Sequence, residues 1–266
     1  MRLILKLKAI KEKEFTYNYN YSLYEEISKL LKLNTAGFKE FLREKGFRFE
    51  EKEFRFFTFA LNFENVVRHS DKLQLRSQNA RLLISFPLID QYVSSFVLND
   101  LTGKTLTILQ NYPNAIFMIK NVCRIEEPLF KDGAMFFPKS PLILSERIKT
   151  ADKQKNCYYT YKDDPAAINR VIKDDLVLKY KILHGRDLST KDLSLDWDLE
   201  YVNNSILNNR KTTINLMINL YGKNKKITGS MVPFVLKGNP ELIRTGYDCG
   251  FGKMNSLGFG LAESAD

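Results

Sequence analysis

The sequence predicts an α+β fold made of two tandem ferredoxin-like (βαββαβ, RRM-like) domains with a carboxy-terminal glycine-rich loop. Three observations predict it. Strand-like segments alternate with helix-like segments, the alternation occurs in two similar rounds, and a stretch with three prolines and one glycine separates the rounds. We therefore expect an amino-terminal domain at 1–127, a linker at 128–141 and a carboxy-terminal domain at 142–266.

The first round begins with a strand in which Leu3, Leu5 and Leu7 alternate with charged residues, the period of a half-buried strand. Ser22 and Glu25 form a capping box, which predicts the start of the first helix. The other predicted elements are a helix at about 35–45, a strand at 54–63, a polar stretch at 64–79, a strand at 81–86, a helix from Pro87, and strands at 105–109 and 115–120.

The second round begins with a predicted strand near 142–145. Asp164 and Pro165 are typical of a helix start and Gly185 of a helix end, so a long helix is predicted between them. The remaining predicted elements are strands at 212–219 and 227–236, a short helix from Pro240, the glycine-rich loop at 246–260 and a final strand at 257–262.

The charge balance indicates a polyanionic partner. The chain of 266 residues has 41 Lys and Arg against 31 Asp and Glu, a net charge of +10. Between Asn203 and Lys253, eight basic and two acidic residues give 8 − 2 = +6. A solvated face is one interpretation of this cluster. Nucleic acid is favoured over a membrane, because no basic amphipathic helix with an exposed apolar face is evident.

Composition and segment lengths predict a soluble, cytoplasmic protein with neither a cofactor nor a metal. The uncharged apolar stretch at 82–89 is far shorter than the roughly 18 residues of a membrane span. Charges inside the amino-terminal apolar run argue against a signal peptide. Cys123, Cys157 and Cys249 are scattered and have no His at zinc-ligand spacing, which predicts reduced thiols.

Five of the thirteen glycines lie at 246–260, where residues 250–260 have the pattern G-F-G-x5-G-F-G. Glycine is needed where the backbone has a positive φ or closely approaches another backbone. Two interpretations follow. Either the loop amides face a phosphate chain, with Lys253 adding charge, or the loop is a hairpin that packs against a sheet. The spacing matches neither the dinucleotide fingerprint nor the P-loop.

The segment 238–261 closely resembles the carboxy-terminal signature of the CRISPR repeat-processing endoribonucleases, the Cas6 family of the RAMP superfamily. Weaker similarity occurs in the amino-terminal half, at 17–24, 41–46 and 57–59. The resemblance therefore spans both ends of the chain. The tandem ferredoxin-like fold of that family agrees with the order of elements predicted above.

The resemblance implies a specific reaction. Members of this family bind the repeat of a CRISPR transcript and cut it once per repeat without a metal. The ribose 2′-OH attacks the adjacent phosphate, which leaves a 2′,3′-cyclic phosphate and a 5′-OH. Such a step needs a general base, a general acid and cations that stabilise the pentacoordinate phosphate.

The positions that the family uses for this chemistry differ in this chain. Arg43 aligns with a frequent His, Ser28 lies near an aligned Tyr, and Arg55 aligns with a Lys. Because arginine stays protonated, Arg43 and Arg55 are expected to stabilise phosphate charge and not to transfer protons.

Three hypotheses account for the missing His. A lysine with a lowered pKa (Lys29, Lys45 or Lys52) carries the proton, or the protein binds repeat RNA without cutting it, or His69 reaches the site from the polar stretch. The protein is thus either a ribonuclease or a non-catalytic RNA-binding subunit. A basic α+β protein with a glycine hairpin and no RNA partner is a third class.

The expected RNA-binding residues lie mostly in the glycine-rich loop and the basic carboxy-terminal region. They are Gly250, Gly252, Lys253, Asn255, Ser256, Gly258, Gly260, Lys223, Lys225, Lys226 and Arg244. Tyr24, in an aromatic cluster at the start of the first helix, either stacks on an unpaired base or packs against the sheet. The implied partners are CRISPR repeat RNA, a CRISPR effector complex and a second copy of the chain, without a membrane.

Overall fold

The computed structural model of the protein describes residues 2–11, 14–32, 36–37, 39–40, 47–49, 52–54, 56–69, 72–87, 100–109, 114–149, 154–220 and 223–265. The longer helices are α1 (Asn20–Leu30), α2 (Pro165–His184), α3 (Leu199–Leu207) and α4 (Pro240–Cys249). The strands are β1 (Arg2–Lys11), β2 (Glu14–Thr16), β3 (Arg48–Phe49), β4 (Lys52–Glu53), β5 (Thr58–Phe63), β6 (Val66–Arg68), β7 (Lys72–Leu75), β8 (Asn79–Ser85), β9 (Thr105–Ile108), β10 (Ala115–Ile125), β11 (Gly133–Pro138), β12 (Leu144–Lys149), β13 (Gln154–Tyr159), β14 (Leu193–Trp197), β15 (Thr213–Leu220), β16 (Lys223–Ser230), β17 (Phe234–Gly238) and β18 (Ala262–Ser264). None of the helices in these ranges combines the length and the apolar composition of a membrane-spanning segment.

Five antiparallel strands form the amino-terminal sheet in the order β5–β8–β1–β10–β9. Strands β1, β5, β8 and β10, with α1 between the first two, have the order of a ferredoxin-like unit, which β9 extends at one edge. Leu3, Leu5 and Leu7 are buried in the core on the α1 side, as their alternation predicts. The helix predicted from Pro87 lies outside the described residues.

The carboxy-terminal sheet repeats this arrangement. Its antiparallel order is β14–β17–β11–β18, with α2 after β11 and α4 after β17. In this sheet, β11, β14, β17 and β18 therefore occupy the positions that β1, β5, β8 and β10 occupy in the amino-terminal sheet. The predicted fold class is confirmed. A hairpin of β12 and β13 follows β11, and α3 and a hairpin of β15 and β16 lie between β14 and β17.

The prediction of a linker at 128–141 is wrong at its centre. Residues 133–138 form β11, an inner strand of the second sheet. Ala134 and Phe136 on this strand are buried in the carboxy-terminal core. Pro138 is the last residue of the strand, so its missing N–H does not interrupt the inner ladder. The strand predicted at 142–145 is instead the start of β12.

The start of α1 differs from the predicted capping box. The helix begins at Asn20, its N-cap is Tyr19, and no side chain caps it. The Tyr19 ring packs against Phe15, with 5.7 Å between ring centroids, so core packing fixes the earlier start. The Ser22 hydroxyl instead accepts a hydrogen bond from the Leu109 amide at 2.6 Å, which ties α1 to the end of β9.

Several other boundaries also move. The polar stretch 64–79 contains two strands, β6 and β7, and the strand predicted at 54–63 begins only at Thr58. The strand predicted at 227–236 is divided between β16 and β17, and the final strand is at 262–264 instead of 257–262. Pro233 lies between β16 and β17, where it need not donate to a ladder. Gly258 and Gly260 have φ of 79° and 73°, which ends any extended run there.

Helix α2 confirms the prediction made from its end residues. The Asp164 carboxylate accepts hydrogen bonds from the amides of Ala166 and Ala167, each at 3.2 Å. Gly185 ends the helix with φ of 67°, in the left-handed region. The inward face of α2 packs into the core of the carboxy-terminal domain, so the helix holds its polar residues in fixed places.

One face of the amino-terminal sheet packs against the other domain. Ile4, Ala60 and Leu83, on the neighbouring strands β1, β5 and β8, form a cluster with Leu261. The Ser85 hydroxyl in the same sheet donates to the Asp248 carbonyl at 2.8 Å. The interface is therefore apolar with a hydrogen-bonded edge.

Arg2 is buried at this interface, although its place in β1 predicts an exposed side chain. It is 2% exposed. Its guanidinium donates to the carbonyl oxygens of Tyr247 and Ala262, and its Cζ lies 3.3 Å from the centroid of the Tyr247 ring. Burial lowers the pKa of Arg2 to about 10. Arg2 thus joins the first strand of one domain to the last helix and strand of the other.

Candidate nucleic-acid interface

The glycine-rich loop turns many of its amides toward the protein. The Phe251 amide donates to the Gly260 carbonyl at 2.8 Å, the Gly260 amide to the Pro141 carbonyl at 2.9 Å, and the Lys253 amide to the Ile143 carbonyl at 2.8 Å. These donors are not available to a phosphate chain. Of the two interpretations made from the sequence, this geometry favours the packed loop.

The Asn255 side chain closes the loop from inside. Its amide nitrogen donates to the carbonyls of Phe251 at 3.3 Å and Phe259 at 3.0 Å. Gly250, Gly252, Gly258 and Gly260 are buried and have φ between 73° and 87°. Residues 253–257 are only partly buried, so they form the part of the loop that a ligand can contact.

The loop also contacts the amino-terminal domain. The Thr58 hydroxyl, on the edge strand β5, donates to the Phe259 carbonyl at 2.9 Å. The Asn20 side chain at the start of α1 donates to the Leu257 carbonyl at 2.8 Å. The loop therefore lies between the two domains and bonds to both.

A buried ion cluster fixes the loop from the α2 side. Lys179 Nζ donates to the carbonyls of Gly250 at 2.8 Å and Gly252 at 2.6 Å. The Asp175 carboxylate lies 2.7 Å from Lys179 Nζ and 2.7 Å from Lys253 Nζ. Burial lowers the pKa of Lys179, and the Asp175 charge opposes that shift. Lys253, predicted to bind RNA, is therefore already paired with a carboxylate.

A cleft of about 500 Å³ opens beside the exposed part of the loop. Its lining combines cations, aromatic rings and acidic groups: Phe54, Ser145, Glu146, Arg147, Asn156, Tyr158, Arg170, Val171, Asp174, Asp175, Leu178, Lys225, Lys253 and Met254. Phe54 comes from the amino-terminal domain, and the other residues come from the carboxy-terminal domain. Cations and aromatic rings in one cleft suit phosphates and bases.

One wall of the cleft is neutralised by an ion pair. Arg170 on α2 donates to both oxygens of Glu146, at 2.7 and 2.8 Å. The Tyr159 hydroxyl donates to the same carboxylate. The Arg170 guanidinium is the main cause that lowers the pKa of Glu146 to about 2. Glu146 therefore stays ionised and holds Arg170 in place.

The lysines of β16 lie on different faces of its hairpin. Lys225 lines the cleft, whereas Lys226 is exposed on the opposite face, since successive strand side chains alternate. For Lys223 the structure describes only the backbone, as part of β16. Ser256 and Asn255 lie in the partly buried segment of the loop. Of the lysines predicted in β16, the cleft thus contains Lys225.

Two other residues predicted to bind RNA are used within the protein. Arg244 donates to the Pro128 carbonyl and lies 5.0 Å from the Phe130 ring centroid. It lines a separate cavity, so the structure does not bring it to the cleft. Tyr24 stacks on Phe57 with 5.9 Å between ring centroids, which favours the packing interpretation.

The structure also changes the choice among the predicted catalytic residues. Ser28 is fully buried, so its hydroxyl does not face solvent. Lys29 Nζ lies 2.9 Å from Glu26 Oε1, and this hydrogen bond raises the pKa of Lys29. A lysine that carries a proton in the reaction needs a lowered pKa instead. His69 is exposed directly after β6, where the Tyr17 hydroxyl donates to its carbonyl.

Four other predicted positions have no described side chain. Arg43, Lys45 and Arg55 lie outside the described residues, and Lys52 is described only as backbone in β4. Their roles therefore stay predictions.

Sequence reasoning missed Arg147, Asn156 and Tyr158 in the cleft. They lie on β12 and β13, which were not predicted as a hairpin. The run Cys-Tyr-Tyr-Thr-Tyr at 157–161 is rich in β-forming residues and was the available signal. No motif marks this region.

The protein has two ferredoxin-like domains, joined by a glycine-rich loop beside a cleft that contains cations and aromatic rings. These features define a class of tandem ferredoxin-like proteins suited to nucleic acid. Comparison identifies the family within that class. The family described as CRISPR associated protein Cas6, C-terminal, matches residues 125–264, more than half of the chain. The chain therefore belongs to the Cas6 family, as the resemblance at 238–261 predicts.

Relatives are similar over nearly their whole lengths. "CRISPR-associated endoribonuclease Cas6 1" of Methanocaldococcus jannaschii is 24% identical over 268 residues, covering 100% of this chain and 93% of that protein. The structure titled "Characterization of a Cas6-related gene from Pyrococcus furiosus" has a TM-score of 0.76 at 18% identity, covering 100% and 98% of the two chains. The structure titled "An RAMP protein binding different RNA substrates" has a TM-score of 0.73 at 19% identity and covers both chains fully. These structures share the fold.

Gly260→Ala is expected to lower the free energy of unfolding by about 2–5 kcal/mol, from left-handed strain and forced overpacking. A Cβ at Gly260 would lie 2.0 Å from the Phe251 carbonyl oxygen. Gly103→Ala is the matched control, because Gly103 has φ of 85° but nothing within 4 Å of the added Cβ. It should lose only about 1–2 kcal/mol. Urea denaturation measures both, and equal losses would contradict the close approach.

Asp175→Ala is expected to lower the free energy of unfolding by about 3–5 kcal/mol, because it leaves the buried Lys179 charge without its carboxylate. Asp196→Ala is the control, since it removes an exposed ion pair with Lys237 at a similar distance of 2.9 Å and should cost at most about 1 kcal/mol. Both are measured by urea denaturation. A small loss in both variants would show that the cluster does not stabilise the fold.

Proposed function

We propose that this protein binds the repeat of a CRISPR transcript and cleaves the transcript once within each repeat. The observation that carries the proposal is the match to the Cas6 family at 125–264, a range that contains the glycine-rich loop. The Methanocaldococcus jannaschii relative is named an endoribonuclease, and a structure titled as a Cas6 product complex has a TM-score of 0.60 at 14% identity. Both names support an RNA-processing role.

We infer that cleavage uses the ribose 2′-OH and no metal. The 2′-oxygen bonds to the adjacent phosphorus as its proton passes to a base, and the bond from phosphorus to the 5′-oxygen breaks. An acid protonates the leaving oxygen. The products are a 2′,3′-cyclic phosphate and a 5′-OH. Cations at the phosphate lower the barrier, because they stabilise charge that develops only in the transition state.

Arg43 and Arg55 are the proposed cations at the scissile phosphate. Lys45 or Lys52 is the proposed proton carrier, because the pKa of Lys29 is raised by Glu26 and Ser28 is buried. Binding is proposed to use the cleft lysine Lys225 and the partly buried segment at 253–257. A CRISPR effector complex and a second copy of the chain stay predicted partners.

A single-turnover assay in EDTA with end-labelled repeat RNA tests this function. We expect one cut per repeat, with a cyclic phosphate on the 5′ product. A 2′-deoxy substitution at the cut site should abolish that cut while leaving binding intact. Arg43→Ala should lower the cleavage rate about a hundredfold, as loss of one group that stabilises transition-state charge does, with little change in affinity.

The assay separates the two classes of function. Tight, salt-dependent binding without a cut would show that the protein is a non-catalytic repeat-RNA-binding subunit. It would contradict the proposed ribonuclease activity. Cleavage of the 2′-deoxy substrate would rule out the 2′-OH as nucleophile. Absence of both binding and cleavage, across repeats of different sequence, would overturn the RNA-processing function.

A further inference from the structure

We propose that the cleft beside the glycine-rich loop binds one unpaired nucleotide of the RNA. Its phosphates contact Arg147 and Lys225, and its base contacts the rings of Tyr158 and Phe54. The inference rests on the proposed RNA-binding function and deepens it, because it names single-stranded RNA, and not a paired stem, as what this cleft recognises.

The hairpin of β12 and β13 brings three of the cleft residues to one face. Arg147 is directly opposite Asn156, and Ser145 is directly opposite Tyr158. Because strand side chains two residues apart share a face, Arg147, Asn156 and Tyr158 project to the same side. Strand β13 contacts β16 there, and Lys225 of β16 lines the same cleft.

The cations in the cleft divide into paired and available ones, and the Asp174 carboxylate also lines the cleft. Arg170 is held by Glu146, and Lys253 by Asp175. Arg147 and Lys225 form no ion pair with another residue of the described ranges. A phosphate gains most from a cation that needs no displacement of a carboxylate, so these two are the phosphate ligands.

Two aromatic rings supply the surface for a base. Tyr158 and Phe54 line the cleft from different domains, and both are partly buried. One side of Phe54 stacks on Phe56 with 5.8 Å between ring centroids, and Tyr158 packs against a small core cluster, so a base would contact the sides of the two rings that line the cleft. Unpaired bases stack on such rings, whereas bases in a stem are already stacked on one another. The Asn156 side chain beside them hydrogen-bonds Tyr158, and its amide has further hydrogen-bonding capacity for a base edge. A volume of about 500 Å³ is typical of a pocket for one small ligand.

Binding of a single-stranded repeat fragment and of a blunt RNA duplex, titrated with salt, tests the proposal. Arg147→Ala and Lys225→Ala should each weaken single-strand binding and lower the slope of log K against log salt by about 0.7. Tyr158→Leu should weaken it about tenfold with an unchanged slope, and Tyr158→Phe should not weaken it. Duplex binding should change little in all four variants.

Lys155→Ala is the matched control for charge. Lys155 lies on β13 next to Asn156, is exposed, and projects to the other face of the hairpin. It should leave the slope and the affinity unchanged. If Lys155→Ala weakens binding as much as Arg147→Ala does, the effect is overall charge and the proposal is wrong.

Crosslinking gives a readout that does not depend on how the variants fold. Wild-type protein irradiated with a repeat fragment that contains 5-iodouridine should give crosslinks at Tyr158 or Phe54, located by mass spectrometry. Crosslinks only outside the cleft would overturn the proposal. Wild-type protein that cuts the repeat normally, with unchanged affinity in all cleft variants, would overturn this inference alone. Absence of repeat binding by the wild type would overturn both this inference and the proposed function.

Discussion

The buried contact between Lys179 and the loop carbonyls of Gly250 and Gly252 is the interaction on which the rest of the site depends. An ammonium group inside a protein is costly unless oxygen atoms surround it. Here two carbonyls and the Asp175 carboxylate supply them, and the carbonyls accept only if the glycines keep their left-handed backbone. One helix therefore fixes the shape of the loop, and the loop fixes the edge of the cleft.

The same loop fixes how the two domains meet. The two domains have the same order of their four common strands, but the amino-terminal core also contains Ile182 of α2 and Cys249 of α4 from the other domain. Hydrogen bonds at the loop and the domain interface add to this shared packing: Thr58 to Phe259, Asn20 to Leu257, and Arg2 to Tyr247 and Ala262. Phe54 lines the cleft from the amino-terminal domain, so these contacts between the domains help to form the cleft.

Local signals in the sequence predicted both ends of α2, whereas the capping box predicted at Ser22 and Glu25 did not form. Asp164 and Gly185 bound α2 because capping depends on a few neighbouring residues. Local signals could not predict that residues 133–138 form an inner strand. These residues become one only by pairing with β17 and β18, which lie about a hundred residues or more later in the chain. The glycine pattern at 250–260 identified the loop, but the partners of its amides depend on tertiary packing. Arg147 and Tyr158 have no motif, so only the hairpin register relates them.

The long-range contacts of Arg2 determine when, during synthesis, the interface between the two domains can form. Arg2 bonds to Ala262, 260 residues further along the chain. An amino-terminal domain leaves the ribosome first and folds as a unit. Its apolar patch of Ile4, Ala60 and Leu83 must then stay uncovered until Leu261 has been added. The nascent chain therefore passes through a stage in which this face of the sheet is exposed.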